Sequence, residues 1–266
     1  MSVGAHVDQA DPVGAAIDRG ATLSQFFLGD PQGYKGPAFE YDGGPDALRQ
    51  AAEANGINLY VHAPYIINVA TTNNRIRIPS RKLLQLHLDA AAAIGAKGLI
   101  VHGGHVDRAG EDAELLAKGF DNWRKAVEQA DITVPLLIEN TAGGTNAMTR
   151  HLDRIGRVWD AIATAGGSDM VGFCLDTCHA HAGGNDLSTI VADVLRVTGR
   201  IDLVHANDSR DTFDSGADRH TNLGDGNIDP EALAVVVRDA HAPVVCETPG
   251  GVEAHRADFD WLRARV

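Results

Sequence analysis

The stretch GFCLDTCHAHAGG, residues 172–184, runs an apolar segment straight into an aspartate, two cysteines and two histidines. Cys174 and Cys178 are four residues apart with a carboxylate between them, which matches no paired-thiolate zinc signature. Asp176 and His179 are the better candidates for metal ligation. Residues of the same kinds end other apolar runs along the chain: His6, His62, His102, Glu139, His205 and Glu247. A lone His or Glu in such a place is ordinarily a cap or a hydrogen-bonded polar group. Seven gathered around one confined rim would carry a heavy desolvation cost unless cations joined them. Imidazole and carboxylate without thiolate suit Zn(II) or Mn(II), and zinc best explains the histidine-rich mixture.

These residues can meet only if their elements converge. Eight β-rich runs recur: SVGAHV, ATLSQFFL, INLYVHAP, GLIVHGG, VPLLIENT, VGFCLDTCH, RIDLVHAND and APVVCETPG. Between them lie helix-like stretches, among them PDALRQAAEANG, SRKLLQLHLDAAAAIGAKG, AELLAKGFDNWRKAVEQA and PEALAVVVRDAHA, several opening on Asp, Ser or Pro and closing near Gly. Strands that read as near-continuous Val, Ile and Leu and alternate with helices imply a parallel sheet covered on both faces. Eight such units predict an α/β fold, a single (β/α)8 TIM barrel over residues 1–266. An open doubly wound sheet would place a G-x-G-x-x-G turn after its first strand, and GAHVDQADPVGAA has none. In a barrel all the strand-end residues fall on the carboxyl-terminal face, where active sites are built.

Glu139, Asp176, His205 and Glu247 alone could hold one or two ions, as in sugar isomerases and epimerases of barrel fold. His179 and the loop GADRHTNLGDGN add more. Two residues apart in an extended segment, Asp218 and His220 point the same way and Arg219 is directed elsewhere. His179, Asp218 and His220 therefore make a third site with a vacancy. His6, His105 and His181 stay outside the metal set, and His87, His151, His241 and His255, in helix-like segments, are assigned to surface or core.

The bulk properties are those of a globular protein, with 44% hydrophobic and 22% charged residues. The amino terminus has no basic segment followed by an apolar one, and no stretch is long enough to span a membrane. The expectation is an intracellular, cytoplasmic protein whose three cysteines are buried and reduced. No oligomerisation signal is legible, and a monomer is expected. A formal charge of −13 argues against a nucleic-acid partner until the cations are counted. Three divalent ions would bring it to roughly −7 and concentrate positive potential in one place.

Taken together, GAHV, HAPYIINVA, VHGGH, IENTAGG, GFCLDTCHA, HANDS, DRHTNLGDGNI and CETPG, in this order, resemble the endonuclease IV family, metal-dependent apurinic/apyrimidinic endonucleases of barrel fold. The resemblance implies a three-zinc centre. His62, His102 and Glu139 would hold one ion, Glu139, Asp176, His205 and Glu247 a second, and His179, Asp218 and His220 a third, with Mn(II) an alternative at one site. It implies cleavage of the phosphodiester bond 5′ to an abasic site in duplex DNA, leaving a 3′-hydroxyl and a 5′-deoxyribose phosphate, with Glu139 also orienting the attacking water. A wedge of Tyr65 and Ile66 would probe the gap. Gln32 stands where some members carry an inserting arginine, which leaves Tyr34 and Lys35 to supplement that wedge. Arg77 and Arg81, in the basic stretch TTNNRIRIPSRK, would position phosphates, and Arg219 would join the DNA-contacting set. The competing expectation is a divalent-metal sugar isomerase or epimerase of the same barrel class. A non-enzymatic zinc module fits poorly, because structural zinc sites are closed and cysteine-rich.

Overall fold

The structure, a computed structural model, describes residues 1–106 and 112–266. Each of the eight apolar runs forms a strand: β1 (Val3–His6), β2 (Leu23–Phe27), β3 (Asn58–His62), β4 (Gly98–His102), β5 (Leu136–Glu139), β6 (Val171–Asp176), β7 (Leu203–His205) and, last along the chain, β10 (Val244–Cys246). They close a parallel barrel in chain order, β10 pairing with both β7 and β1. A short antiparallel pair, β8 (Asp208–Ser209) and β9 (His220–Thr221), stands beside it. The helices are α1 (Pro12–Arg19), α2 (Gly44–Asn55), α3 (Asn74–Ala93), α4 (Ala113–Gln129), α5 (Leu152–Ile162), α6 (Thr177–Ala182), α7 (Ile190–Thr198), α8 (Pro230–Ala240) and α9 (Val252–Arg263). The expected barrel is observed.

Two apolar layers hold it. The larger lies between barrel and helices, around Phe26, Trp123, Phe173 and Phe259. The smaller, Leu23, Tyr60, Ile100, Leu137, Cys174, Leu203 and Val245, is a separate cluster contributed by seven strands. Side chains alternate across a strand with period two. Each residue of this cluster therefore shares a face with the residue two further on: Gln25, His62, His102, Glu139, Asp176, His205 and Glu247. The apolar plug is the floor on which the polar layer stands. On β1 the same offset pairs His6 with Gly4, where a Cβ would lie 1.9 Å from the Leu23 carbonyl oxygen, so no side chain fits. Cys174 belongs to the floor. Burial pushes its thiol up to about 12, and all three cysteines are free and buried, as a structural role requires.

One helix differs from expectation. α3 begins at Asn74, so most of the basic stretch TTNNRIRIPSRK is helical; the Asn73 side chain caps it by accepting from the Arg75 N–H at 3.0 Å. His87, on the same helix, is fully buried, neither ring nitrogen has a hydrogen-bond partner among the described residues, and burial lowers its pKa to about 4. A histidine so depressed leaves stability intact above 6.5, its ordinary value, and removes it progressively as pH falls towards 4, because only the unfolded chain takes the proton. His87→Leu is expected to be more stable than the parent at neutral pH by about 1–3 kcal/mol, the cost of burying an unpaired polar group. The gap should widen by about 2 kcal/mol near pH 5. Thermal unfolding at the two pH values tests this.

Candidate metal centre

Glu139 lies at the centre of the polar layer and is fully buried. His62 Nε2 is 3.1 Å and His102 Nε2 3.3 Å from its Oε2; His205 Nδ1 and His179 Nδ1 are each 3.1 Å from its Oε1. One carboxylate thus faces four imidazoles from four elements. His205 Nδ1 also lies 3.2 Å from Glu247 Oε2 and 3.8 Å from Asp176 Oδ2. The side chains fall into overlapping groups able to hold a cation: His62, His102 and Glu139; Glu139, Asp176, His205 and Glu247; Cys178, Asp218 and His220; and Asp176, His179 and His220.

The last group is assembled by a short helix and a long loop. Asp176 caps α6, its Oδ1 accepting from the His179 N–H at 2.6 Å, which fixes where His179 projects. The β8–β9 pairing sets His220 opposite Ser209 and delivers Asp218 beside it. Asp218 reaches both imidazoles, 3.1 Å from His179 Nε2 and 3.1 Å from His220 Nε2. Several contacts pin the loop between β8 and β9: Arg150 to Asp214 at 2.7 Å, Asp214 N–H to the His181 carbonyl at 3.1 Å and Gly216 N–H to the Ala182 carbonyl at 2.8 Å. At Gly143 a Cβ would come within 2.3 Å of the Gly216 carbonyl oxygen, so this approach demands glycine. His181 also serves the loop, its Nε2 donating to the Asp211 carbonyl at 3.2 Å.

The tautomers show what the centre is built for. His62 Nδ1 donates to the Ala63 carbonyl at 2.8 Å, His179 Nδ1 to the Asn140 carbonyl at 2.9 Å and His205 Nε2 to Gln25 Oε1 at 2.8 Å. A carbonyl oxygen only accepts, so each of those nitrogens carries its proton and the other ring nitrogen is left facing a carboxylate. Two outcomes are open: a second proton makes the ring cationic, or a cation sits between lone pair and carboxylate, the usual arrangement around a metal-ligating histidine. Among the described residues His179 Nε2 and His220 Nε2 are buried without a hydrogen bond although each is in reach of Asp218. Contact distance without hydrogen-bond geometry fits divalent ions.

Without such ions the charges settle on the side chains. Burial opposes ionisation of Glu139 and Glu247, but the surrounding imidazoles, His205 foremost, hold both carboxyls well below the usual range. Asp218 is held below its ordinary value against burial by His179 and His220. His179 and His220 are raised well above 6.5 chiefly by Asp176, and His205 is raised by Cys174, Glu247 and Glu139, all against burial. His62 goes the other way, lowered by burial.

Sequence reasoning missed the amides that orient this layer. Gln25 donates to Glu247 Oε1 at 2.6 Å and to His6 Nδ1 at 3.0 Å while accepting from His205. Asn140 brackets Asp176, accepting from its N–H at 2.7 Å and donating to its carbonyl at 2.9 Å. Asn207 donates to Asp176 Oδ2 at 2.7 Å and accepts from the Glu247 N–H at 2.8 Å. The available signal was position, since Asn140 follows Glu139 directly and Asn207 is two residues beyond His205.

Around the rim, Tyr65 is half exposed, Ile66 is partly buried and Gln32 is exposed. Tyr34, Tyr65, Ile66, Ile76, His102 and Gly144 line part of a cavity of about 370 Å³. The arginines named from sequence all have partners within the protein. Arg77 donates to the Thr71 carbonyl at 3.1 Å and to Asn74. Arg81 joins α3 to α4 through the Asn122 carbonyl at 3.0 Å and Gln129 at 3.1 Å. Arg219 pairs with Asp211. A phosphate would have to compete with these bonds, most severely for the half-buried Arg81. Among the described residues no helix is long and apolar enough to cross a membrane.

The chain resembles known proteins in both sequence and fold. A family model described as a xylose isomerase-like TIM barrel, AP endonuclease family 2, matches residues 13–265. The chain is 51% identical over its whole length to the "Probable endonuclease 4" of Mycobacterium ulcerans (strain Agy99), covering 99% of that protein. The crystal structure of endonuclease IV from Thermus thermophilus superposes with a TM-score of 0.83 at 26% identity, covering 99% of this chain and 98% of that one. A D-tagatose 3-epimerase-like protein superposes with a TM-score of 0.78 at 17% identity, over 100% and 97% of the two chains, and shares the fold.

Proposed function

The chain belongs to the endonuclease IV family of DNA-cleaving hydrolases, and on that premise we propose that it is a zinc-dependent apurinic/apyrimidinic endonuclease acting in base excision repair. It hydrolyses the phosphodiester bond 5′ to an abasic site in duplex DNA, leaving a 3′-hydroxyl and a 5′-deoxyribose phosphate. The observation that carries the reading is the convergence on Glu139 of side chains from four strands and two further segments, in overlapping groups able to hold cations. Three zinc ions are assigned to nine residues. His62, His102 and Glu139 hold the first, Glu139, Asp176, His205 and Glu247 the second, and His179, Asp218 and His220 the third, with Mn(II) able to replace zinc at one of them.

Bound there, divalent ions supply positive charge against the phosphodiester and make water acidic enough to attack near neutral pH. The protein's own groups set up that chemistry. Glu139, with two oxygens aimed at different imidazole pairs, ties the first two sites into one rigid unit. Gln25 fixes the His205 tautomer and the Glu247 rotamer together. Asn207 donates to the Asp176 carboxylate and accepts from the Glu247 backbone N–H, which ties the Asp176 side chain to the backbone that carries Glu247. The apolar floor beneath, from Leu23 to Val245, excludes water from the lower side of the site. Phosphate thus meets the centre only from the rim.

The epimerase reading needs only Glu139, Asp176, His205 and Glu247, and leaves His62, His102, His179, Asp218 and His220 without a joint purpose. A duplex bearing one tetrahydrofuran abasic analogue separates the two. Incision at its 5′ side, lost on chelation and restored by zinc, is expected; an intact duplex should survive. Sugar epimerisation without incision would overturn the proposal. The protein is placed in the cytoplasm, acting on DNA as a monomer.

A further inference from the structure

We infer that Asp258, on the last helix of the barrel, is a positioning residue that holds the third ion site in register with the second by clasping the two segments that carry His220 and Glu247. This rests on the proposed three-ion centre. Among the described residues, Asp258 itself belongs to no group able to hold a cation.

Glu247 follows β10 and His220 opens β9, so the two reach the centre from different segments. They touch through the backbone: His220 Nδ1 donates to the Glu247 carbonyl at 3.4 Å, which leaves Nε2 facing Asp218. At that length the bond is a weak tie. Firmer ones lie slightly further along both segments, and they meet on α9. Asp258 is 2% exposed. Its Oδ1 accepts from the Leu223 N–H at 2.8 Å, and its Oδ2 accepts from Asn222 Nδ2 at 2.9 Å and from the Thr248 hydroxyl. Asn222 Nδ2 also donates to the Pro249 carbonyl at 3.1 Å, crossing from one segment to the other. Three residues earlier on α9, His255 Nε2 donates to the Thr248 carbonyl at 3.0 Å, its tautomer set by Arg19 Nε donating to Nδ1 at 2.8 Å.

Packing does not ask for a carboxylate here, since Phe259 and Leu262 already bury the inner face of α9. A buried carboxylate is costly unless donors fill its oxygens. All three donors described for Asp258 come from the two ligand-bearing segments, so the charge fixes where those segments stand relative to each other. Glu247 has further anchors in Gln25 and Asn207. His220 has only the weak bond to the Glu247 carbonyl and its place on β9, so the third site depends most on the clasp.

The test titrates zinc into the full-length protein against a chromophoric chelator, giving an affinity for each ion. Asp258→Asn keeps the side-chain shape but turns an NH2 towards one set of these donors. It should bind one of the three ions about tenfold less tightly, the lower end of the loss when a ligand's supporting hydrogen bonds are removed. In His220→Ala, which lacks the third site, adding Asp258→Asn should change neither remaining affinity. Incision by Asp258→Asn should fail at limiting zinc and recover at saturating zinc. Asn222→Ala should reproduce the weaker binding, and it carries the test should Asp258→Asn not fold. Leu262→Ala, a core truncation on the same helix, should lower the melting temperature of stripped and loaded protein alike while all three affinities keep the parent's values; a merely structural role for Asp258 would give the same pattern. A parent that incises, with three ions held as tightly in Asn222→Ala and in folded Asp258→Asn, overturns the Asp258 assignment alone. A parent that binds fewer than three zinc ions overturns the three-ion centre, and the assignment with it.

Discussion

Glu139→Gln is expected to reduce abasic-site incision about a thousandfold or more, while affinity for the abasic duplex changes by less than about tenfold. The substitution keeps the shape of the side chain and removes one negative charge from a site where two imidazole nitrogens face each oxygen at 3.1–3.3 Å. An amide NH2 in place of one oxygen turns donor towards groups that need an acceptor or a shared cation. Removing one preorganised electrostatic group from a reacting centre costs a factor of about 10²–10³ in rate, and loss of a shared cation would add to it. Glu139 is fully buried below the rim, so the DNA contacts proposed for the rim loops would not involve it. Single-turnover incision, gel-shift affinity and elemental analysis on the same preparation separate the effects. Full activity in this variant would remove Glu139 from the centre of the mechanism.

Much of this site is legible in the sequence because the barrel converts a one-dimensional rule into three dimensions. His62, His102, Glu139, Asp176 and His205 each close an apolar run, and a parallel barrel brings all strand ends to one rim. The period of two then explains why Tyr60, Ile100, Leu137, Cys174 and Leu203 form the floor below them. Gln25 escaped the same reading because its run, ATLSQFFL, continues through two phenylalanines, so the amide lies inside the strand rather than at its end. Yet β2 is offset from β1 so that Gln25 pairs with His6, and it reaches the common layer from there. The start of α3 was obscured by Pro79, which reads as a first-turn residue but lies inside the helix. That early start carries Arg81 towards α4 and its Asn122 carbonyl, a tertiary contact that no local pattern announces. The tyrosines of the rim are named by sequence, but only packing shows that Tyr65 lies against His62 and His102.

Stripping the ions with a chelator is expected to abolish incision and to destabilise the protein far more at pH 8 than at pH 6. In the ion-free protein His179, His205 and His220 have pKa values raised well above 6.5. Groups raised on folding contribute stability that is fully present below the unfolded value, 6.5, and is lost as pH rises through the raised folded value. Glu139, Glu247 and Asp218 are depressed on folding, so their contribution is present above their unfolded values, 4.5 and 3.8, and fades only as pH falls through the lowered ones. The ion-free centre is therefore best satisfied between 4.5 and 6.5, where imidazolium and carboxylate pair, His62 alone pulling the other way. Above 6.5 that advantage drains away, and as pH rises through the raised values the imidazoles surrender their protons and leave buried carboxylates facing lone pairs. Ions relieve this conflict, and because they must displace those protons, their apparent affinity rises with pH through neutrality. The difference in melting temperature between loaded and stripped protein should accordingly grow from pH 6 to pH 8. His220→Ala should lower the zinc content from three to two and reduce the proton release on loading. A difference independent of pH, or an undiminished metal count in His220→Ala, would show that these imidazoles do not bind the ions.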